Sequence, residues 1–129
     1  MTYKQGEIVL VPFPYSDLSG SKKRPVLVVS NNVYNTAFPD IVVAVITSKT
    51  TKPDAYSLAL ESEDLDVGQL PELSMIRAHK LFTIAQSRIL KRFSSLGETK
   101  LRQTLLIMQQ LFDHPSLHST TKSPQPEKI

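Results

Sequence analysis

Pro25-Val-Leu-Val-Val-Ser30 and, further along, Ile41-Val-Val-Ala-Val-Ile46 are two nearly continuous apolar runs rich in β-branched residues, each bounded by turn-forming residues. Side chains alternate between faces along a strand, so an uninterrupted run of this kind marks a strand buried on both faces or the centre of a small barrel. Asn31, Asn32, Asn35 and Pro39 separate the two and predict a loop. Upstream, Gly6-Glu-Ile-Val-Leu-Val-Pro-Phe13 is a first strand that ends where prolines remove its amide donors. Tyr15 to Arg24 gathers Ser16, Asp17, Ser19, Gly20 and Ser21 before Lys22-Lys23-Arg24, which predicts a mobile loop with a basic end. Downstream, Tyr56 to Leu60 alternates like a half-exposed strand. Leu73 to Arg77 and Lys80 to Ile84 predict two short strands with Ala78-His79 at a bend between them, and Ile89 to Phe93 predicts another. Leu101, Leu105, Met108, Leu111 and Phe112 recur at helical spacing from a start near Gly97-Glu98. Short strands, one C-terminal helix and no βαβ alternation predict a mainly β fold: a strongly bent antiparallel sheet or partly open barrel.

The chain has 129 residues, 40% apolar and 21% charged, which suits one packed domain over residues 1–112 followed by a polar, proline-rich tail over 113–129. Neither a signal-like segment nor an apolar run of bilayer length is present, and the absence of cysteine excludes disulfides, thiol catalysis and thiolate metal sites; the expected setting is the cytoplasm. No phosphate-binding glycine motif occurs among the four scattered glycines. The net charge of +3 hides a segregation: Glu61, Glu63, Asp64, Asp66 and Glu72 lie in one stretch without a lysine or arginine. The rest of the body is therefore strongly basic and would attract a polyanion over a Debye length of about 8–10 Å.

Gly6-Glu-Ile-Val9, Lys23-Arg-Pro-Val-Leu-Val-Val-Ser30, Ile46-Thr-Ser48 and Ser74-Met-Ile-Arg77 resemble, in order and spacing, the MazF/PemK family of toxins over about residues 5 to 112. The resemblance implies an SH3-like barrel with a C-terminal helix and a homodimer. It also implies an mRNA interferase: a metal-independent endoribonuclease that cuts single-stranded RNA at short sequences without a cofactor. A cognate antitoxin protein would neutralise it, and no membrane is involved. The competing reading keeps the fold without the catalysis, as a gyrase-poison-like or degenerate RNA-binding module. The polar tail, which lacks tryptophan, argues against the first of these, and the presence of both Arg24 and Thr47 argues against the second.

Metal-free RNA cleavage uses the neighbouring 2′-hydroxyl as nucleophile, so the protein must accept that proton, stabilise a dianionic phosphorane and see the 5′-oxygen protonated. Arg24 matches the family's catalytic arginine, and its planar fork suits phosphate oxygens. On sequence alone it is an arginine beside two lysines. Thr47 matches the family's threonine, with Ser48 beside it as a reserve hydroxyl. Arg77 falls on an arginine used in some members as a general acid or phosphate ligand. Several relatives have an aspartate two residues later, where this chain has His79, whose ordinary pKa of about 6.5 allows proton acceptance near neutrality. Asp17 is a weaker candidate base, and Glu7 is read as structural. Lys22, Lys23, Lys49, Lys52 and Lys80 are candidates for following the RNA backbone, and Phe13, Tyr15, Tyr56 and Phe82 for stacking, although Phe82 is more readily core. His114 and His118 would share a face only on a helix, which Pro115 opposes, so no metal site is expected.

Overall fold

The computed structural model describes residues 2–13, 22–48 and 54–116. Its elements run β1 (Glu7–Phe13), β2 (Lys22–Val28), α1 (Asn32–Ala37), β3 (Asp40–Ser48), β4 (Ser57–Leu60), β5 (Ser74–Ala85), β6 (Lys91–Ser95) and α2 (Glu98–Phe112). The strands form one curled antiparallel sheet in the order β4-β5-β3-β2-β1-β6, the mainly β half-barrel with a C-terminal helix that the sequence predicts.

The two apolar runs occupy the middle of this sheet, and their period-two alternation divides the core in two. Ile8, Leu27, Ala44, Ile46 and Ile76 face α2 and its Met108, and Val9, Val11, Val26, Val28, Ile41 and Val43 form a second cluster. Each of these side chains contributes roughly 1.5–3 kcal/mol on burial, except the smaller Ala44, so the central strands carry most of the hydrophobic stabilisation. In α2, Leu101, Leu105, Ile107 and Met108 meet the first cluster. Phe112 does not join them as the helical spacing predicted: at the last turn it is 73% exposed. Gly6 has φ of +90°, donates its amide to Val28, and lies so close to Leu101 that a Cβ would meet Cδ2 at 3.0 Å. Only glycine lets the start of β1 pass beneath the helix there.

Three sequence expectations are corrected. Lys22, Lys23 and Arg24 are not the end of a loop but the first residues of β2, paired with Phe13, Pro12 and Val11. The segment from Asn31 to Pro39 contains α1: Asn31 caps it by accepting from the Tyr34 amide, and buried Asn35 donates to the carbonyls of Tyr3 and Ser30. Finally, the two short strands expected over Leu73 to Ile84 are one, β5 (Ser74–Ala85). Val45 pairs with Arg77 and Ala44 with Leu81, so Ala78, His79 and Lys80 are extra residues on β5, and the strand bends without ending.

The acidic stretch folds back on this frame. Leu65 bridges to Leu96, Lys100 lies 3.8 Å from the Asp64 carboxylate, and Ser95 donates to Asp66. No helix among the described residues is long and apolar enough to cross a membrane.

Candidate active site

The alternation that buries Val26, Val28 and Val43 continues past the edge of their cluster, where the same face of the sheet carries Arg24 on β2 and Val45 and Thr47 on β3. Val26 pairs with Val45 at the end of the β2–β3 ladder, and Arg24 and Thr47 each lie two residues beyond that pair. Both line a groove of about 480 Å³, with Pro25, Val45, Ile46, Ser48, Leu70, Pro71, Glu72 and Ser74. Residues far apart in the chain, two of them predicted catalytic, thus share one cavity.

Thr47 Oγ1 is buried and has no hydrogen-bond partner among the described residues. Leaving such a group unsatisfied costs about 1–3 kcal/mol, so the hydroxyl is placed for something other than the stability of the fold. Ser48 is not an equivalent reserve: its Oγ donates to Glu72 Oε1 at 2.6 Å, which uses its one proton.

Arg77 and His79 belong to a second cluster beside the groove and do not line it. Arg77 sits in β5 opposite Val45 on one side and Ser57 on the other, hence on the same face as Thr47. Its side chain is 15% exposed and pairs with Asp54 at 3.5 Å, while its Nε has no partner among the described residues. Asp54 also accepts from the Tyr56 amide at 2.8 Å and the Ser57 hydroxyl at 3.0 Å. The Tyr56 amide, then the Ser57 hydroxyl, then the charges of His79 and Arg77 hold its carboxyl below the ordinary value, against an opposing contribution from burial. His79, in the extra residues of β5, has Nδ1 3.4 Å from the Tyr56 carbonyl, and the two rings are tilted at 6.2 Å. When Nδ1–H donates to that carbonyl, Nε2 is left as the proton acceptor.

Lys22, Lys23 and Lys80 are exposed, the first two beside Arg24 on β2 and the third beside His79. Lys49, Lys52, Asp17, Tyr15 and His118, and the side chain of Phe13, lie outside the described residues. Phe82 packs against the second core cluster. Glu7 accepts from the Lys4 amide and pairs with Arg92. His114 lies beyond the end of α2, and among the described residues no three His, Cys, Asp or Glu gather as metal ligands. Sequence reasoning missed Asp54 and Glu72. The Asp54-Ala-Tyr56 spacing does signal a carboxylate that accepts from the amide two residues on. Nothing local marked Glu72 off from the other acids of its stretch.

A half-barrel sheet with a C-terminal helix, and a groove lined by both Arg24 and Thr47, is the architecture of a toxin-type fold. The profile of the PemK-like, MazF-like toxins of type II toxin-antitoxin systems matches residues 4–112, and the chain belongs to that family. Comparison with curated proteins returned no match. Among solved structures, an endoribonuclease in complex with its cognate antitoxin from a mycobacterial species is 16% identical, with a TM-score of 0.69 over 88% of this chain and 99% of that one. A MazE-MazF structure from Deinococcus radiodurans is 18% identical (TM-score 0.67, covering 86% and 96%), and a MazF toxin of Mycobacterium tuberculosis is 18% identical (TM-score 0.63, covering 82% and 95%). At these identities the likeness is one of fold.

Proposed function

We propose that this toxin is a metal-independent endoribonuclease that cleaves single-stranded RNA at short sequences and is neutralised by a cognate antitoxin. The observation that carries the reading is the placement of Arg24 and Thr47 in one groove with the Thr47 hydroxyl unsatisfied. In the proposed step the 2′-hydroxyl gives its proton to a base, for which His79 Nε2 beside the groove is one candidate and Asp17 a weaker one, and its oxygen bonds to phosphorus. The bond from phosphorus to the 5′-oxygen breaks, and that oxygen takes up a proton from water while the base returns its own to solvent. The products are a 2′,3′-cyclic phosphate and a 5′-hydroxyl. Arg24 stabilises the added charge with its planar fork, and Thr47 donates to the same phosphate. Arg77, paired with Asp54 at 3.5 Å, is assigned as a further phosphate ligand. Lys22, Lys23, Lys49 and Lys80 follow the backbone as point charges. The working unit is a cytoplasmic homodimer built from residues 1–112, with 113–129 dispensable.

The test is incubation of the purified protein with a long single-stranded RNA in EDTA, with the ends mapped and their chemistry determined. Cleavage leaving cyclic phosphate and 5′-hydroxyl is expected. Metal-dependent products with a 5′-phosphate overturn the mechanism, and binding without cleavage supports the non-catalytic module instead.

A further inference from the structure

The groove lining is of two kinds, and only one suits a phosphate. Arg24 and Thr47 can receive an anion; Glu72 cannot, because its carboxylate repels phosphate and partly cancels the field of Arg24. Yet Glu72 is held there. Ser48 and Ser74 face each other as the last pair of the β3–β5 ladder. The Ser48 hydroxyl donates to Glu72 Oε1 at 2.6 Å and the Ser74 hydroxyl to the Glu72 carbonyl at 3.2 Å, so two serines at one ladder end fix its side chain and its backbone. The groove's remaining walls, Pro25, Val45, Ile46, Leu70 and Pro71, are apolar. Its volume of about 480 Å³ lies in the range of small-ligand sites, roughly 300–1,000 Å³.

A flat apolar group with a hydrogen-bonding edge fits this combination, and a nucleobase is such a group. We propose that Glu72 is a specificity-determining residue: it accepts from the base-pairing edge of a nucleobase seated against Pro25, Leu70 and Pro71, while the adjoining phosphate lies at Arg24 and Thr47. The proposal rests on the endoribonuclease reading and names the base it selects. A carboxylate only accepts hydrogen bonds, and the bond from Ser48 fills one of its several lone-pair sites. Uracil presents a single N–H between two carbonyl oxygens that the carboxylate repels. Cytosine and adenine each present one exocyclic amine beside an acceptor nitrogen. Guanine alone presents a ring N–H and an amine side by side, matching the two carboxylate oxygens, and is the preferred base.

The experiment has two arms. Cleavage ends are mapped on random-sequence RNA with the wild-type protein and E72Q, and binding is measured by fluorescence anisotropy with uncleavable 2′-deoxy-substituted oligonucleotides that differ only in guanine, adenine, cytosine or uracil at the selected position. The wild type is expected to favour guanine over uracil by roughly 5- to 150-fold in both arms, the discrimination typical of a bidentate contact. In E72Q, whose amide presents its own donors, that ratio should collapse toward unity. S48A, which releases the carboxylate, should lower it partway and carries the test if E72Q does not fold. A wild-type protein without guanine preference, or a folded E72Q with the preference intact, overturns the proposal. Failure of the wild type to cleave any RNA would sink the endoribonuclease reading alone, since the binding arm still decides the role of Glu72.

Discussion

In the proposed reaction Thr47 sets stability against function at a single atom. Its buried, unpartnered Oγ1 should make Thr47→Val neutral or stabilising in a thermal melt, because a methyl group replaces a hydroxyl with nothing to bond. The same change should lower cleavage about 100- to 1,000-fold, the usual cost of losing a preorganised donor, with Ser48 unable to compensate while it donates to Glu72. A clear fall in melting temperature would show that the hydroxyl has a structural partner instead. Arg24→Ala should lose activity by a similar factor without loss of fold, since Arg24 is exposed at the start of β2, and Arg24→Lys should rescue poorly because an ammonium lacks the fork. Asp54 brings pH into the picture. Its carboxyl is held below its ordinary 3.8 by the Tyr56 amide first, so it contributes stability above that value which is lost as pH falls through the lowered one. Asp54→Asn should therefore show a shallower loss of melting temperature than the wild type between about pH 5 and pH 2. A pH dependence of melting unchanged in Asp54→Asn would mean that the lowered carboxyl contributes nothing to acid stability. Arg24, Thr47 and Arg77 were visible in the sequence because a resemblance carried them. Asp54 and Glu72 were not, because their roles come from side chains that folding brings to them: Arg77 in β5 and Ser48 in β3.

At the level of elements, hydrophobic patterning disclosed what hydrophobicity builds and missed what polar contacts build. The runs of β2 and β3 showed their two-faced burial directly. The short α1 did not, because three asparagines in eight positions look like a loop until Asn31 is seen capping the helix and Asn35 filling the core beneath it. Asn35 is 1% exposed and donates to the Tyr3 and Ser30 carbonyls while accepting from the Ser30 hydroxyl. Asn35→Ala should accordingly cost about 1–3 kcal/mol, seen as a lower denaturation midpoint at unchanged slope; a midpoint like that of the wild type would mean that the network is dispensable. β5 was misread for a related reason. Ala78-His79-Lys80 interrupts the alternation as a turn would, but the interruption is a register slip against β3, and a slip belongs to a pair of strands and is not written in either one.

The whole molecule is electrostatically divided, and the division follows the fold. The acidic stretch is pinned to β6 and the start of α2, where Lys100 approaches Asp64 and where a hydrogen bond donated to Glu61, then the negative charges of Glu61 and Asp64, raise the Glu63 carboxyl above its ordinary value. Lys22, Lys23 and Arg24 instead occupy one end of β2, where Arg24 lines the groove together with Glu72. A homodimer would present two such grooves, and a monomer mass in solution at micromolar concentration would remove that proposal. Charge and specificity should then separate in experiment. A lysine that neutralises a phosphate releases counterions, so each lost contact should reduce the slope of log K against log salt by about 0.7 on a single strand. The double variant of Lys22→Ala and Lys23→Ala should thus bind an uncleavable single-stranded oligonucleotide more weakly at low salt, with a slope shallower by about 1.4, and converge on the wild type as salt rises. Its cleavage map should keep the wild-type sequence preference, since a point charge on the backbone carries no base information, whereas E72Q should change the map. An unchanged salt slope in the lysine variant would place the RNA backbone away from the start of β2, and with it the path that brings a phosphate to Arg24.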